Sequence, residues 1–249
     1  MDMNTVEKLL TTTRSVRKRL DLDREVPLDV VKSCLEMAIQ APTGSNSQQW
    51  RYLVITDPEK RKAIADLYSR SFKLYAKESA AAAPKLPPTD PRSQRMMKVV
   101  TSAVYLAENL HRVPMFIITL LEGRVEKADV LAQASFYGSS LPAAWSLMMA
   151  LRANGLGSAW TTLHLRYEKE AAGILGIPDH YTQTCLLPVA YFKGEDFRPA
   201  KRVPVEQLTY LASTSVSVLL TNDSARLREP FLSSHKNTPK NEPVFRCVI

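Results

Sequence analysis

Two short stretches of this chain carry residue types suited to chemistry. Arg14-Ser15-Val16-Arg17 offers two guanidinium groups and a hydroxyl within what would be one helical turn. Residues three apart on a helix face the same side, so Arg14 and Arg17 would point together. Near a helix N-terminus, such a pair binds a phosphate monoester dianion through charge-assisted, often bidentate hydrogen bonds. The second stretch is Ala41-Pro42-Thr43-Gly44-Ser45-Asn46-Ser47-Gln48-Gln49-Trp50. Asn46 and Gln48 each offer a donor and an acceptor, matching a flat ring whose edge alternates C=O and N–H. Thr43, Gly44 and Ser45 permit close backbone approach. A helix-stop loop anchored by a buried tryptophan needs none of this amide density, and Trp50 itself reads as core. A phosphate grip beside a polar heterocycle cradle points to a mononucleotide cofactor.

The elements that must position these residues alternate between helix and strand signals. Pro27 reads as a first-turn proline, with Leu28, Val31, Leu35 and Ala38 on one helical stripe up to Pro42. A β-rich run spans 51–56, and Asp57-Pro58 opens a helix through about Lys77. Four prolines between Ala80 and Arg92 mark a mobile surface excursion, followed by a helix from about Ser93 to His111 and a strand over 114–121. The segment 131–154 contains one charged residue, Arg152, so its helix must be buried on most sides, in the domain centre or at a subunit interface. Pro142 predicts a kink there or a junction of two helices, and Asn154-Gly155 a stop. Beyond lie a strand or extended loop at 157–162, a helix at 168–175, a strand at 183–191 and a last helix at 204–211. We take 1–211 as the main domain and 212–249 as a C-terminal extension, with an edge strand at 213–220 before a polar, proline-bearing tail.

Composition narrows the function. With 45% apolar and 23% charged residues, the chain reads as an ordinary soluble domain. Its 8 glycines argue against a glycine-rich phosphate loop. The net charge of +8 suits an enzyme that handles phosphorylated dinucleotides. The basic residues are dispersed, and no reader motif or interleaved aromatics support nucleic-acid binding. Cys34, Cys185 and Cys247 show no CxxC or Cys/His spacing, so no zinc site is expected. Cys34 and Cys185 read as buried, and the odd count fits a reducing cytoplasm. No apolar run reaches the roughly 18–20 residues of a membrane span.

The two chemical stretches resemble the FMN-dependent nitroreductase family, which opens with an Arg-Ser-x-Arg-type segment and continues with Ala-Pro-Ser/Thr-x-x-Asn-x-Gln-Pro-Trp. Gln49 departs from the proline of that pattern. Leu151-Arg152-Ala153-Asn154-Gly155-Leu156-Gly157-Ser158-Ala159-Trp160, Ile174-Leu175-Gly176-Ile177-Pro178 and Arg202-Val203-Pro204 resemble later family segments, so the likeness runs in order over about residues 5–210. It implies that Arg14, Ser15, Arg17 and Arg202, with Lys201, hold the FMN phosphate. Pro42, Thr43, Gly44, Ser45, Asn46 and Gln48 would line the flavin from the neighbouring subunit. Thr161, Thr162 and Leu163 would bring main chain to the flavin N5 side. Trp145-Ser146 stands where the family commonly has a Gln-Asn pair. Arg95 and Lys98 are candidates for a cation near the N1–C2=O edge.

Alternating elements alone read as α/β. The resemblance instead implies an α+β fold: a central mixed, mainly antiparallel sheet flanked by helices in an intertwined homodimer. The weak alternation of 213–220 adds the expectation that this run crosses to the partner as an added strand. The implied activity is hydride transfer from NAD(P)H and reduction of nitroaromatic, quinone or related electron-poor acceptors by a ping-pong mechanism. No catalytic side chain is required, because the flavin supplies the redox chemistry. The alternatives are a non-catalytic flavin-sequestering protein of the same fold and a flavin reductase or dehalogenase-like enzyme, although no acidic lid motif is evident. His164 lies nearest the expected ring site and reads as either substrate-facing or a satisfied structural histidine.

Overall fold

The computed structural model describes residues 2–82, 87, 89–211 and 218–219. Two compact units divide the chain, Met1–Arg198 and Pro199–Ile249. In the first, strands β1 (Trp50–Ile55), β2 (Met115–Glu122), β3 (Leu156–Ser158) and β4 (Tyr181–Tyr191) form an antiparallel sheet in the order β1-β2-β4-β3. Around it lie helices α1 (Met3–Thr12), α2 (Leu28–Ala38), α3 (Pro58–Ala82), α4 (Pro91–Asn109), α5 (Val130–Ala153) and α6 (Glu168–Leu175). The architecture is α+β.

The central strands are apolar on both faces because both faces are covered. Successive side chains of a strand point to opposite sides. Phe116, Ile118 and Leu120 of β2, with Leu186 and Ala190 of β4, therefore join Ile64, Leu67 and Tyr68 of α3 and Leu106 of α4 in one core. Met115 and Ile117, with Cys185, Leu187 and Val189, face the other way. They pack with Val31, Cys34 and Ala38 of α2 and Ala144, Leu147, Met148 and Leu151 of α5. Antiparallel sheets usually leave one face to water; here the helical layers on both sides explain the unbroken hydrophobic runs. The register skips Thr184 between the Thr119↔Cys185 and Leu120↔Gln183 pairs. This bulge residue donates to the Thr119 carbonyl at 3.1 Å, and its hydroxyl also meets those of Thr119 at 2.6 Å and Ser140 at 2.8 Å, tying α5 to the sheet.

Several expected boundaries shift for physical reasons. On α2 the buried stripe is Val31, Cys34 and Ala38, whereas Leu28 in the first turn is 61% exposed. Alanines 80–82, good helix formers, extend α3 beyond Lys77, and Pro91 opens α4. Within the expected excursion, residues 80–82 and 91–92 are therefore helical, and 83–86 and 88 lie outside the described residues. Helix α5 runs through Pro142 as one element. Its buried face, Ala143 to Leu151, offsets the lost backbone bond. Its opposite face, with Leu131, Leu141 and Trp145, is exposed, so this segment is not buried all round by its own chain.

In the second unit, the expected helix over 204–211 is only a 3-10 turn, Val205–Gln207, followed by β5 (Tyr210–Leu211). Val203, Val205 and Leu208 are exposed, so no apolar face stabilises a longer helix. β5 pairs antiparallel with β6 (Val218–Leu219) of the same chain. The rest of the expected 213–220 strand, and the tail from Asn222 to Ile249, lie outside the described residues.

The sheet is completed at the β3 edge by an irregular segment. Ser15 forms a parallel bridge with Ser158, and the Val16 N–H donates to the Ser158 carbonyl at 2.8 Å. This makes the sheet mixed. The approach requires Gly157: a Cβ there would lie 3.1 Å from Val16 and 3.2 Å from Leu20. Gly157→Ala should cost about 1–3 kcal/mol through overpacking. Urea denaturation should show it as a lower midpoint with unchanged slope.

Candidate functional site

The Arg14–Arg17 segment is extended, which corrects the helical reading. Helix α1 ends at Thr12, and the hydroxyls of Thr12 and Thr13 bond back to the Lys8 and Leu9 carbonyls. The chain then runs along β3, so these residues follow a helix C-terminus and gain nothing from a helix dipole. Alternation buries Val16 in the core and leaves Ser15 and Arg17 on the other side. Arg14, Ser15 and Arg17 nevertheless line one crevice of about 310 Å³ with Lys18, Arg19, Lys98, Val99, Ser102 and Phe197. Five of these side chains are cationic, and none is a carboxylate.

The cations differ in what they are free to bind. Arg19 donates to the Lys193 and Asp196 carbonyls at 2.6 and 2.8 Å, and its guanidinium lies 4.1 Å from the centre of the Phe197 ring. Arg152 stacks over Phe192 and pairs with Asp196. These arginines hold the strap 193–198, whose Arg198 carbonyl accepts from Arg14 at 3.1 Å. Ser15 Oγ accepts the Trp160 N–H at 3.2 Å, leaving its own proton for an anion. Arg17 is half-buried and has neither a carboxylate nor a hydrogen-bond partner among the described residues. Burial holds its pKa below the ordinary arginine value, opposed only by Tyr68. An anion in the crevice would satisfy it.

The Pro42–Trp50 loop does not line this crevice. Gly44 donates to Ser139 Oγ on α5 at 2.9 Å, and a Cβ on Gly44 would collide with the Ser135 hydroxyl at 2.4 Å. The Gln48 N–H donates to Thr43 Oγ1 at 3.2 Å, and Gln48 Nε2 donates to Asn46 Oδ1 at 3.0 Å. Asn46 thus keeps a spare donor and Gln48 a spare acceptor. Ser45, Asn46 and Gln48 all have positive φ, near 50°, and are the non-glycine residues with this conformation among those described. Such strain concentrates where a loop presents itself to a ligand. Pro42 is exposed, and Trp50 is core, packed with Leu121 and Ala143.

Thr161 is joined to β4 by reciprocal backbone bonds with Leu186, at 3.1 and 2.8 Å, so its N–H is committed. The N–H groups of Thr162 and Leu163 have no acceptor among the described residues. His164 is neither substrate-facing nor a satisfied histidine: it is fully buried, and both ring nitrogens lack partners. Burial lowers its pKa to about 4.

The nitroreductase family model matches residues 10–191. The chain belongs to the nitroreductase family. Among curated relatives, it is 26% identical to mouse iodotyrosine deiodinase 1 over 81% of this chain and 67% of that protein. It is also 27% identical to an NADH dehydrogenase of Thermus thermophilus over 78% of this chain and 90% of that one. The chain spans about two thirds of the length of the deiodinases it matches. The fold is shared with the FMN-dependent nitroreductase NfnB of Mycobacterium smegmatis, solved in complex with NADPH. That likeness has a TM-score of 0.60 at 19% identity, covering 85% of this chain and 99% of that one.

Within this family member, Arg14, Ser15 and Arg17 come together, the 42–48 loop stands apart on α5, and Thr161–Leu163 follow β3. Lys201 and Arg202 are exposed residues of the second unit. Of the two cation candidates on α4, Lys98 lines the crevice and Arg95 does not. The sequence reasoning missed the Arg19–Phe197–Arg152 strap, although Arg152 was visible as the one charge in an apolar segment. No cluster of three His, Cys, Asp or Glu side chains that could hold a metal ion occurs among the described residues, and no helix among them is long and apolar enough to cross a membrane.

His164 makes stability pH-dependent. Its folded pKa, about 4, lies below the ordinary histidine value of 6.5, which holds in the unfolded chain. The unfolded chain therefore binds the proton first as pH falls. The stability conferred by a neutral buried ring is full above pH 6.5 and is lost as pH falls through 4. His164→Phe should flatten the stability–pH curve between these limits by about 3 kcal/mol. Urea unfolding of both proteins across that range measures it.

Proposed function

We propose that this protein is an FMN-dependent oxidoreductase that takes hydride from NAD(P)H and reduces a nitroaromatic, quinone or related electron-poor acceptor. The observation that carries this reading is the half-buried Arg17 guanidinium, unpartnered among the described residues, in a crevice lined by cations and no carboxylate. A phosphate dianion fits that donor set. Arg14 and Arg17 would grip it as charged donors, and Ser15 would add its hydroxyl. On the resemblance alone, Lys201 and Arg202 take part in the same role. When bound, FMN supplies the two-electron chemistry that no side chain here provides.

The remaining residues orient and polarise. Lys98 is the cation suited to the N1–C2=O edge, where negative charge develops on reduction. The free amides of Thr162 and Leu163 are the main-chain donors available for the N5 side. The strained 42–48 loop, docked on the same helix as exposed Leu131, Leu141 and Trp145, would serve a second copy's crevice across a homodimer seam. This reading explains why the loop and the arginines of one chain do not meet.

A second reading, reductive dehalogenation, is favoured by the similarity to iodotyrosine deiodinases. The purified protein, reduced anaerobically with NADPH, should turn over nitroaromatics or quinones; halide release from an iodotyrosine without nitro or quinone reduction would favour the second reading. The protein should be yellow and release FMN on denaturation. A colourless protein indifferent to added FMN refutes both. Arg17→Ala should weaken FMN binding by about 1.5–3 kcal/mol, measured by fluorescence titration. Trp145→Asp should shift the sedimentation profile toward a monomer and lower FMN occupancy with it.

A further inference from the structure

The irregular strap 193–198 is tied at both ends to the segment that carries Arg14 and Arg17. At its start the Lys193 N–H donates to the Arg19 carbonyl at 2.8 Å, and Arg19 Nε donates to the Lys193 carbonyl at 2.6 Å. Gly194 permits this junction: its φ is +84°, and a Cβ there would lie 2.8 Å from Arg19 Nη2. At its end the Arg198 carbonyl accepts from Arg14 Nη1 at 3.1 Å. Between the two junctions Asp196 fastens the strap to two helices. Its carboxylate pairs with Lys8 of α1 at 2.6 Å and with Arg152 of α5, and accepts the Phe197 N–H at 2.8 Å. Phe197 lines the crevice, with the Arg19 and Arg152 guanidiniums 4.1 and 5.2 Å from its ring centre. Asp196 itself is exposed, so its ion pairs add little to global stability. A carboxylate near a cationic crevice also lowers the positive potential that draws an anion. The consequence that favours the site is mechanical. A guanidinium is a planar, rigid fork, so one N–H bonded to a fixed carbonyl sets the direction of its other donors.

We infer that Asp196 is a positioning residue: by clamping the strap to α1 and α5 it holds the Arg198 carbonyl against Arg14, and so directs the Arg14 guanidinium at the cofactor phosphate. This inference rests on the FMN reading and deepens it. Asp196 does not line the crevice and acts through Arg14. Asp196→Asn keeps an acceptor for the Phe197 N–H and removes the charge that holds Lys8 and Arg152. By potential alone, loss of a negative charge tightens phosphate binding; by loss of positioning it weakens it. The two effects have opposite signs. The positioning loss also falls on ligands that carry a phosphate and spares those that lack one.

The apoproteins of wild type, Asp196→Asn, Arg14→Gln and the double variant are titrated with FMN and with riboflavin, and their thermal midpoints recorded. Asp196→Asn should weaken FMN roughly threefold to tenfold and leave riboflavin within about twofold. The double variant should bind FMN no worse than Arg14→Gln alone, because Asp196 acts through Arg14. Unchanged or tighter FMN binding by Asp196→Asn, equal losses for both flavins, or full additivity overturns the inference. So does a lowered thermal midpoint with an unchanged FMN-to-riboflavin ratio. A wild-type protein that binds neither flavin overturns the FMN reading and this inference together. A wild type that binds FMN beside an unaffected Asp196→Asn overturns the inference alone.

Discussion

A half-buried guanidinium without a counter-ion is the constraint around which this structure is arranged. Removing a cation from water costs free energy unless something repays it. Arg17 has no carboxylate among the described residues to do so, yet the fold holds it in place. Val16 anchors one side of the segment in the core, and the parallel bridge to Ser158 fixes its register. Gly157 lets the two strands approach. On the far wall, the Arg19–Phe197–Arg152 stack stiffens the strap that receives Arg14. A crevice lined in this way attracts anions.

The sequence disclosed the elements more fully than their geometry. The unbroken apolar runs of β2 and β4 marked buried strands, and the charge-poor run from 131 to 154 marked the central helix. What misled was spacing read without context. Arg14 and Arg17 are three apart, which suits a helix, but Thr12 and Thr13 close α1 with their own hydroxyls before the arginines begin. The two arginines reach one crevice through an extended strand and a tertiary bond to a carbonyl 184 residues away. Such a partner leaves no local trace. Leu28 shows the same limit from the other side: its periodicity is correct, yet it is exposed.

Helix α5 shows how one element answers two demands. One face, Ala143 to Leu151, packs into the sheet in small and medium side chains, and this packing tolerates Pro142. The opposite face leaves Leu131, Leu141 and Trp145 in solvent, while Ser135 and Ser139 receive the Gly44 turn. Composition alone could not separate these faces, because apolar residues occur on both. The exposed apolar face is legible only once the intramolecular core has been subtracted.

In the proposed site, the strained loop and the arginine crevice would divide the recognition problem. Charge would be handled by groups fixed to the sheet edge, where desolvation strengthens attraction. Shape and hydrogen-bond pattern would fall to a loop whose positive-φ residues, Ser45, Asn46 and Gln48, have few partners among the described residues. Their backbone cost is sustained by the docking of Gly44 on α5 and by the bond from Gln48 to Asn46. Strain maintained in this way fixes a surface in advance of its ligand, so less ordering remains to be done on binding. Loop and crevice do not meet within one chain, so the proposed site would need two chains. Cofactor retention would then depend on subunit association, and a helix with an apolar outer face is the element suited to that coupling.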